Sequence, residues 1–502
     1  MWKTGKDVDK IPDACGKEKY TFMGEGQRAA ERNCDMMGCE NTDYFTWFTR
    51  KGRQKMTEFT KRIQEYEQEY LEDLRRLVGI RSVRDSAAAG PGAPFGRGIR
   101  QAFDCFLEIG ERFGLRAEDF DGYACHLAYG EQKEYVGVLG HLDVVDILSP
   151  GQWRTPPFEM VQSPDGMLWG RGVCDDKGPL LAGLYALRIL KEMKVPLKRS
   201  IRVIAGGAEE TTWECMEYYF AGNPQPVMGF SPDGNFPVVN GEKGILKLAL
   251  LFPRGEERDG VCRIKELQCR TVRNYVCAHV EAKYEINGEQ REITHTGKGA
   301  LSRNPQRGEN ALWKFAAYFS QYSMIQPEAD GLVRFLNDCL TDDCFGRKSG
   351  LYAEDAQMGC TSVCPTGVRM AKEGIYLYVD IRYPRSTGPE RIRKWAQGWS
   401  GAYGFTWQVE EEKRLLYVPE DGELVTGLKD AYEKVTGERA RALTKGGASY
   451  ARTLENGVAF GAAFEHEVNN PHMPNECMSC GSLMKAMEIY VHALWNLTVE
   501  KR

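Results

Sequence analysis

The chain has 502 residues, of which 42% are hydrophobic and 27% charged, and it carries a formal net charge of -5. That length suits two or three domains with their own cores, and that balance excludes a disordered or fibrous chain. With no basic field and no apolar run of about eighteen residues, neither nucleic acid nor a membrane is expected as a partner.

The opening MWKTGKDVDK lacks the apolar stretch of a secretory signal, so the cytoplasm is the expected location and the sixteen cysteines read as reduced thiols. Residues 1–55, with Cys15, Cys34 and Cys39, show no period and are expected to form a poorly ordered N-terminal extension. From Phe59 the apolar positions Phe59, Ile63, Tyr66, Tyr70, Leu74 and Leu77 recur every three or four residues, which predicts an amphipathic helix. A Gly/Pro/Ala-rich loop follows, then a second helical pattern from Gln101 to Phe113. Tyr135 to Asp146, YVGVLGHLDVVD, is a β-branched apolar run that predicts a buried strand ending on His141 and Asp143.

A hairpin around Ser163–Gly166 leads to a Gly-rich loop carrying Asp175 and Asp176, then to an apolar helix from Pro179 to Leu190. Ile201 to Ala205 and Val227 to Phe230 are further buried strands, ending on Glu209-Glu210 and on Asp233. Short apolar strands alternating with helices predict an α/β domain with a mixed, mostly parallel sheet and helices on both faces. Ligands of such sheets sit beyond the carboxyl ends of the strands, where His141, Glu209, Glu210 and Asp233 all fall.

After residue 242 the character changes. Strands are expected at Gly244 to Leu251, Tyr275 to Tyr284, Ile375 to Tyr383 and Phe405 to Val409, with helices after Asn310 and from Pro389 to Trp399. This block predicts an inserted α+β, ferredoxin-like domain over residues 243–415, between two parts of the first domain at 56–242 and 416–502. The last part is expected to hold a helix from Leu424 to Thr436, a strand from Gly457 to Phe460, the turn NNPHMPNE and a final helix from Met484 to Leu497.

Residues two apart on a strand face the same way, so His141 can be a metal ligand while Asp143 steadies its ring. Asp175 between two cations, with His141, Glu210, Asp233 and His472 around it, is a plausible nitrogen and oxygen site for two divalent metals. Glu209 would then be placed to move a proton. Each residue has an ordinary alternative: Asp175 and Asp176 as helix caps, the Glu pair as a solvated turn, His472 as a surface residue.

The stretches GHLDVV, GRGVCDDKGP, GGAEETTW, SPDGNFPVVNGEKG, DIRYP, GGASYAR, VAFGAAF and PHMPNE resemble the motifs of the dinuclear metallopeptidase superfamily that includes aminoacylase, carboxypeptidase G and the desuccinylases. The match is closest to its PepV/Sapep-type dipeptidases and covers about residue 57 to the C-terminus. The resemblance implies that His141, Asp175, Glu210, Asp233 and His472 hold two divalent ions, Zn or Mn. Asp175 would bridge the two ions, Asp143 would orient His141 and Glu209 would be the general base. It also implies that Arg382 grips a substrate carboxylate, and that Gly446, Gly447 and Tyr450 belong to a loop over the substrate backbone. The implied function is a metal-dependent dipeptidase that hydrolyses short unblocked peptides through a hydroxide shared by the metals, and a monomer is expected. An N-acyl amino acid deacylase is the alternative enzyme.

One departure stands out. Where the family carries a lid histidine that supports the oxyanion, GKGALSRNPQRGENA has Leu301, which has no hydrogen to donate. Losing one such donor typically costs about 10²–10³ in turnover, so slow hydrolysis, another donor such as Arg303 or His295, or a metal-binding pseudo-enzyme are all open. Ala208, Thr212 and Cys364 also depart from the family pattern. The CxxC at Cys477 and Cys480 reads as a pair of buried thiols.

Overall fold

The computed structural model describes residues 58–147, 149–269 and 274–500, and upstream of these only the paired short strands Ile11–Pro12 and Glu18–Lys19. The expectation for residues 1–55 therefore lies outside the described residues. Among those that are described, no helix is long and apolar enough to cross a membrane.

The buried runs seen in the sequence form the middle of a nine-stranded sheet. Ser200–Gly206, Tyr135–His141, Met228–Ser231 and Gly457–Ala459 lie side by side and parallel. Every residue of Tyr135–His141 is buried, as expected for a strand covered on both faces. Antiparallel strands complete the edges: Ala124–Tyr129 and Arg116–Phe120 on one side, Val238–Glu242 and Leu416–Tyr417 on the other, with Ala442–Lys445 also pairing Val238–Glu242. Parallel alignment brings the carboxyl ends of the central strands to one edge, which is where the candidate ligands sit.

The faces are covered unequally. Helix Lys177–Glu192, apolar almost all round, lies against Tyr135–His141 and beneath Cys480–Thr498 and Glu58–Val78. The other face carries the short helix Glu214–Gly222, whose Tyr219 hydroxyl meets His126 Nδ1 at 2.8 Å, and the turn Tyr450–Thr453. Lys177 is fully buried and donates to the carbonyls of Leu77 and Ile80, both at 2.8 Å. A cation is thereby placed at the C-terminal end of Glu58–Val78, where the helix carbonyls lack intrahelical partners.

A second sheet lies between the two parts of the first. Its seven antiparallel strands run in the order Glu289–Thr296, His279–Ile286, Cys262–Cys269, Ser362–Ala371, Gly374–Tyr383, Gly244–Pro253, Thr406–Lys413. The last four, taken with Pro327–Phe335 and Pro389–Tyr403, have the βαββαβ connectivity and the 4-1-3-2 strand order of a ferredoxin-like unit. The other three strands and helix Ala311–Phe319 extend it. Asn310 starts that helix by accepting the Leu312 N–H at 3.0 Å.

The two sheets meet at a buried ion pair. Glu242 accepts Arg452 Nε at 2.6 Å, the Ser449 hydroxyl at 2.7 Å and the Ser449 N–H at 3.2 Å. Arg452 also donates to the carbonyls of Lys243, Arg414 and Gly447. Removing one member of such a pair leaves the other charged and unsatisfied, at about 3–5 kcal/mol. Glu242→Ala should therefore lower the denaturant midpoint by an amount matching about 3–5 kcal/mol; a midpoint unchanged from the parent would show that this pair does not brace the junction.

Candidate metal centre

His141 is the last residue of its strand, and its ring is held from both sides. Nδ1 meets the Asp143 carbonyl oxygen at 2.9 Å, and Nε2 meets Asp175 Oδ1 at 3.0 Å. The backbone N–H of His141 donates to Asp176 Oδ2 at 3.2 Å. Gly140 permits this approach, because a Cβ there would lie 2.2 Å from Asp176 Oδ2. The two aspartates therefore part company: Asp175 faces the cleft, and Asp176 turns back under the sheet.

The second oxygen of Asp175 is also engaged. His472 Nε2 lies 2.9 Å from Asp175 Oδ2 and 3.0 Å from Glu210 Oε2. One carboxylate thus stands between two imidazoles, each on its own oxygen. His141, Asp175 and Glu210 offer ligand atoms all within 4.8 Å of one another. Asp233, just past Met228–Ser231, interacts most strongly with Asp175 and His141. His472 lies in a turn where it and Asn475 have left-handed backbone, at φ 63° and 62°, conformations that non-glycine residues seldom adopt and that concentrate at functional sites.

Two further carboxylates shape the site. The Asp143 carboxylate accepts the backbone N–H groups of Glu209 and Glu210, both at 3.1 Å, and its Oδ1 lies 3.5 Å from His141 Nδ1. Asp143 therefore anchors the Glu pair with its carboxylate and faces His141 Nδ1 with both its carbonyl oxygen and Oδ1. Fully buried Glu476 accepts the N–H groups of Gly172, Cys174 and Asp175 at 2.9, 3.1 and 3.3 Å and pairs with Arg171 at 2.6 Å. Glu476 lies within the quoted PHMPNE stretch and went unassigned from sequence; its mate Arg171, in GRGVCDDKGP, was the available signal.

Burial and crowding govern protonation here. Burial and then Asp175 push Glu210 up to about 7 and Asp233 up to about 6, and burial raises Glu209 well above the carboxylate range. Hydrogen bonds to Asp175 and Glu210 raise His472 to about 11. Burial opposes ionisation of Asp175, but the hydrogen bonds from His141 and His472 outweigh it and hold that carboxyl below its ordinary value. Protons thus balance a knot of anions that divalent cations would balance instead. Imidazole nitrogens with carboxylate oxygens are a donor set such ions accept, so the residues fit a metal site.

Other expected site residues are placed differently. Tyr450 is fully buried, its hydroxyl 2.7 Å from Cys215 Sγ and its ring edge-on to His141 and Trp213. It packs beneath His141, its hydroxyl filling the space over Gly206, 2.6 Å from where a Cβ would stand. Arg382 is only 6% exposed; Asp380 takes its Nε and Nη2 at 2.7 and 2.8 Å, and Gly446 O takes Nη1 at 3.1 Å. Two of its five N–H groups remain for a ligand. Leu301 is half exposed, its backbone bridged to Tyr275, and His295 packs against Phe315 and Tyr318 inside the lid. Trp213, with its indole N–H on the Glu209 carbonyl at 2.6 Å, was not anticipated.

The raised Glu210, Asp233 and His472 give a pH signature. Their stabilisation is complete below their unfolded values and is lost as pH rises through about 7, 6 and 11 respectively. Metal-stripped protein should therefore lose stability between pH 5 and 8, while metal-loaded protein does not, so the gap in Tm widens with pH. A gap independent of pH in thermal scans would contradict this account.

Residues 137–496 match Peptidase family M20/M25/M40. A Bacillus subtilis (strain 168) protein named "Putative dipeptidase YtjP" is 31% identical over 458 residues, covering 86% of this chain and 97% of that relative. A Staphylococcus haemolyticus protein named "Putative dipeptidase SH1171" is 32% identical over 475 residues, covering 88% and 99%. Among solved structures, the Vibrio alginolyticus aminoacylhistidine dipeptidase aligns with TM-score 0.57 at 13% identity, covering 86% of this chain and 97% of that one. The Saccharomyces cerevisiae di-peptidase Dug1p aligns with TM-score 0.56 at 13% identity, covering 87% and 97%, so both share the fold. With the family match spanning residues 137–496 and relatives matched along nearly their whole length, this chain belongs to peptidase family M20/M25/M40 and is a metallopeptidase.

Proposed function

We propose that the protein is a dipeptidase acting on short unblocked peptides, with two divalent ions, Zn or Mn, at the sheet edge. The observation that carries this reading is Asp175, whose two oxygens are shared between His141 and the His472–Glu210 pair. On this reading His141, Asp175 and Asp233 hold one ion, and Asp175, Glu210 and His472 hold the other. Such ions supply polarisation of the scissile carbonyl and acidification of a water.

The protein residues do the rest. Glu209, buried and raised, takes a proton from the attacking water and returns it to the leaving amine, a role worth about 10²–10⁴ in rate. Asp143 and Trp213 fix its backbone. Arg382 offers its two remaining N–H groups to the peptide carboxylate across the Gly446–Gly447 loop. The dipeptidase names of the relatives favour this substrate class over an acylated amino acid. We further propose a monomeric cytoplasmic enzyme whose lid, residues 243–415, selects short substrates.

Leu301 favours a second reading, binding without turnover, because the lid offers no imidazole there. Both are tested by one experiment: metal-stripped protein reloaded with Zn or Mn and assayed for amino acid release from a small dipeptide panel. We expect metal-dependent release that falls by at least about 10² in Glu209→Ala and rises in Leu301→His by up to about 10²–10³. Native protein inert with both metals, while Leu301→His is active, would establish the binding reading instead.

A further inference from the structure

Three cations border the carboxylate knot, each from a different segment. Lys413 ends the lid strand Thr406–Lys413, and its Nζ lies 3.3 Å from the ring centre of Trp213, the residue that holds the Glu209 carbonyl. Lys445 ends Ala442–Lys445 and donates to Asn235 Oδ1, two residues beyond Asp233. Arg303, in the lid loop after Leu301, lies across the Gly446–Gly447 loop; a Cβ at Gly447 would stand 2.9 Å from its Nη1.

Among the described residues none of the three forms an ion pair, whereas Arg382 and Arg452 nearby are paired with Asp380 and Glu242. Lys413 faces Glu209 and Glu411, with Arg452 and Lys247 opposing; Lys445 faces Asp233 and Glu242, with Arg303 opposing; Arg303 faces Arg382 as well. Lys413 and Lys445 are half-buried, which weakens their charged forms, whereas Arg303 is exposed. Glu411 is already taken by Lys247, and Glu242 by Arg452. Asp233 would be neutralised by a bound cation. Counting Glu209 against Lys413, the rim still carries two cations, Lys445 and Arg303, against one substrate carboxylate.

Resting on the peptidase reading above, we propose that the preferred peptides carry a second carboxylate, an Asp or Glu side chain beside the C-terminal one, and that Lys413, Lys445 and Arg303 recognise it. Lys445 and Arg303 sit on the Asp233 side of the site and Lys413 on the Glu209 side. A peptide with two carboxylates can span them, and a neutral one leaves Lys445 and Arg303 without a carboxylate partner. A lysine-containing peptide meets like charge.

The test compares Ala-Glu, Ala-Ala and Ala-Lys. Calorimetric binding to metal-loaded Glu209→Gln reads recognition without turnover, and kcat/KM on the native enzyme reads selection. Ala-Glu should bind about tenfold or more tighter than Ala-Ala, as a charge-assisted contact allows, with Ala-Lys weakest. The Ala-Glu to Ala-Ala ratio should fall in Lys413→Gln and Arg303→Gln, and Arg303→Glu should shift preference towards Ala-Lys. Equal binding of the three peptides, or ratios unmoved in these variants, would overturn the proposal. If no peptide is cleaved while the binding preference stands, the peptidase reading falls and the recognition of a second carboxylate remains.

Discussion

The architecture depends on keeping Asp175 ionised, buried and shared between two imidazoles. A lone carboxylate at that depth would take up a proton. It is stabilised by His141 on one oxygen and His472 on the other, while Glu476 accepts the backbone N–H groups of the turn that presents it. Glu476 is affordable only because Arg171 neutralises it and three N–H groups satisfy it. The same logic repeats one layer away, where the Asp143 carboxylate accepts the N–H groups that aim Glu209 and Glu210. Each reactive carboxylate is thus fixed by another whose own oxygens are spent on backbone.

Much of this could be read from the residues. The parallel strands were legible because burial on both faces forces continuous apolar runs such as YVGVLGH, and the chemistry followed from what stands at their ends. The edge strand Arg116–Phe120 was missed because one side meets solvent and its sequence, RAEDF, is mostly polar. Ser362–Ala371 was missed because Pro365 and Gly367 interrupt it; the structure absorbs them at a register shift between those two residues. The lid's extra strands, such as CRIKELQC and EQREITHT, alternate with a solvent face and carry little apolar signal.

For the site, His141, Glu209, Glu210 and Asp233 stood out in the sequence because each falls just past the end of a buried strand. Tyr450 and Arg382 were given substrate roles that the packing qualifies: the tyrosine is sealed beneath His141, and the arginine is largely committed to Asp380. Contacts of this kind depend on which segments meet in space, and Asp380 and Arg382 look equally available when read along a strand. Lys413 and Lys445 escaped notice for a simpler reason, since a lysine at a strand end ordinarily points into water.

The strand Gly457–Ala459 lies in the middle of the main sheet, between Met228–Ser231 and Val238–Glu242. During synthesis, Met228–Ser231 emerges long before its neighbour, and the whole lid is made in between. The growing chain must therefore carry an open slot in its central sheet, with exposed edges on both sides, until residue 459 leaves the ribosome. His472 follows thirteen residues later. Closure of the sheet and completion of the metal site are consequently nearly the same event, so a half-made chain would have little means of acting on the peptides around it.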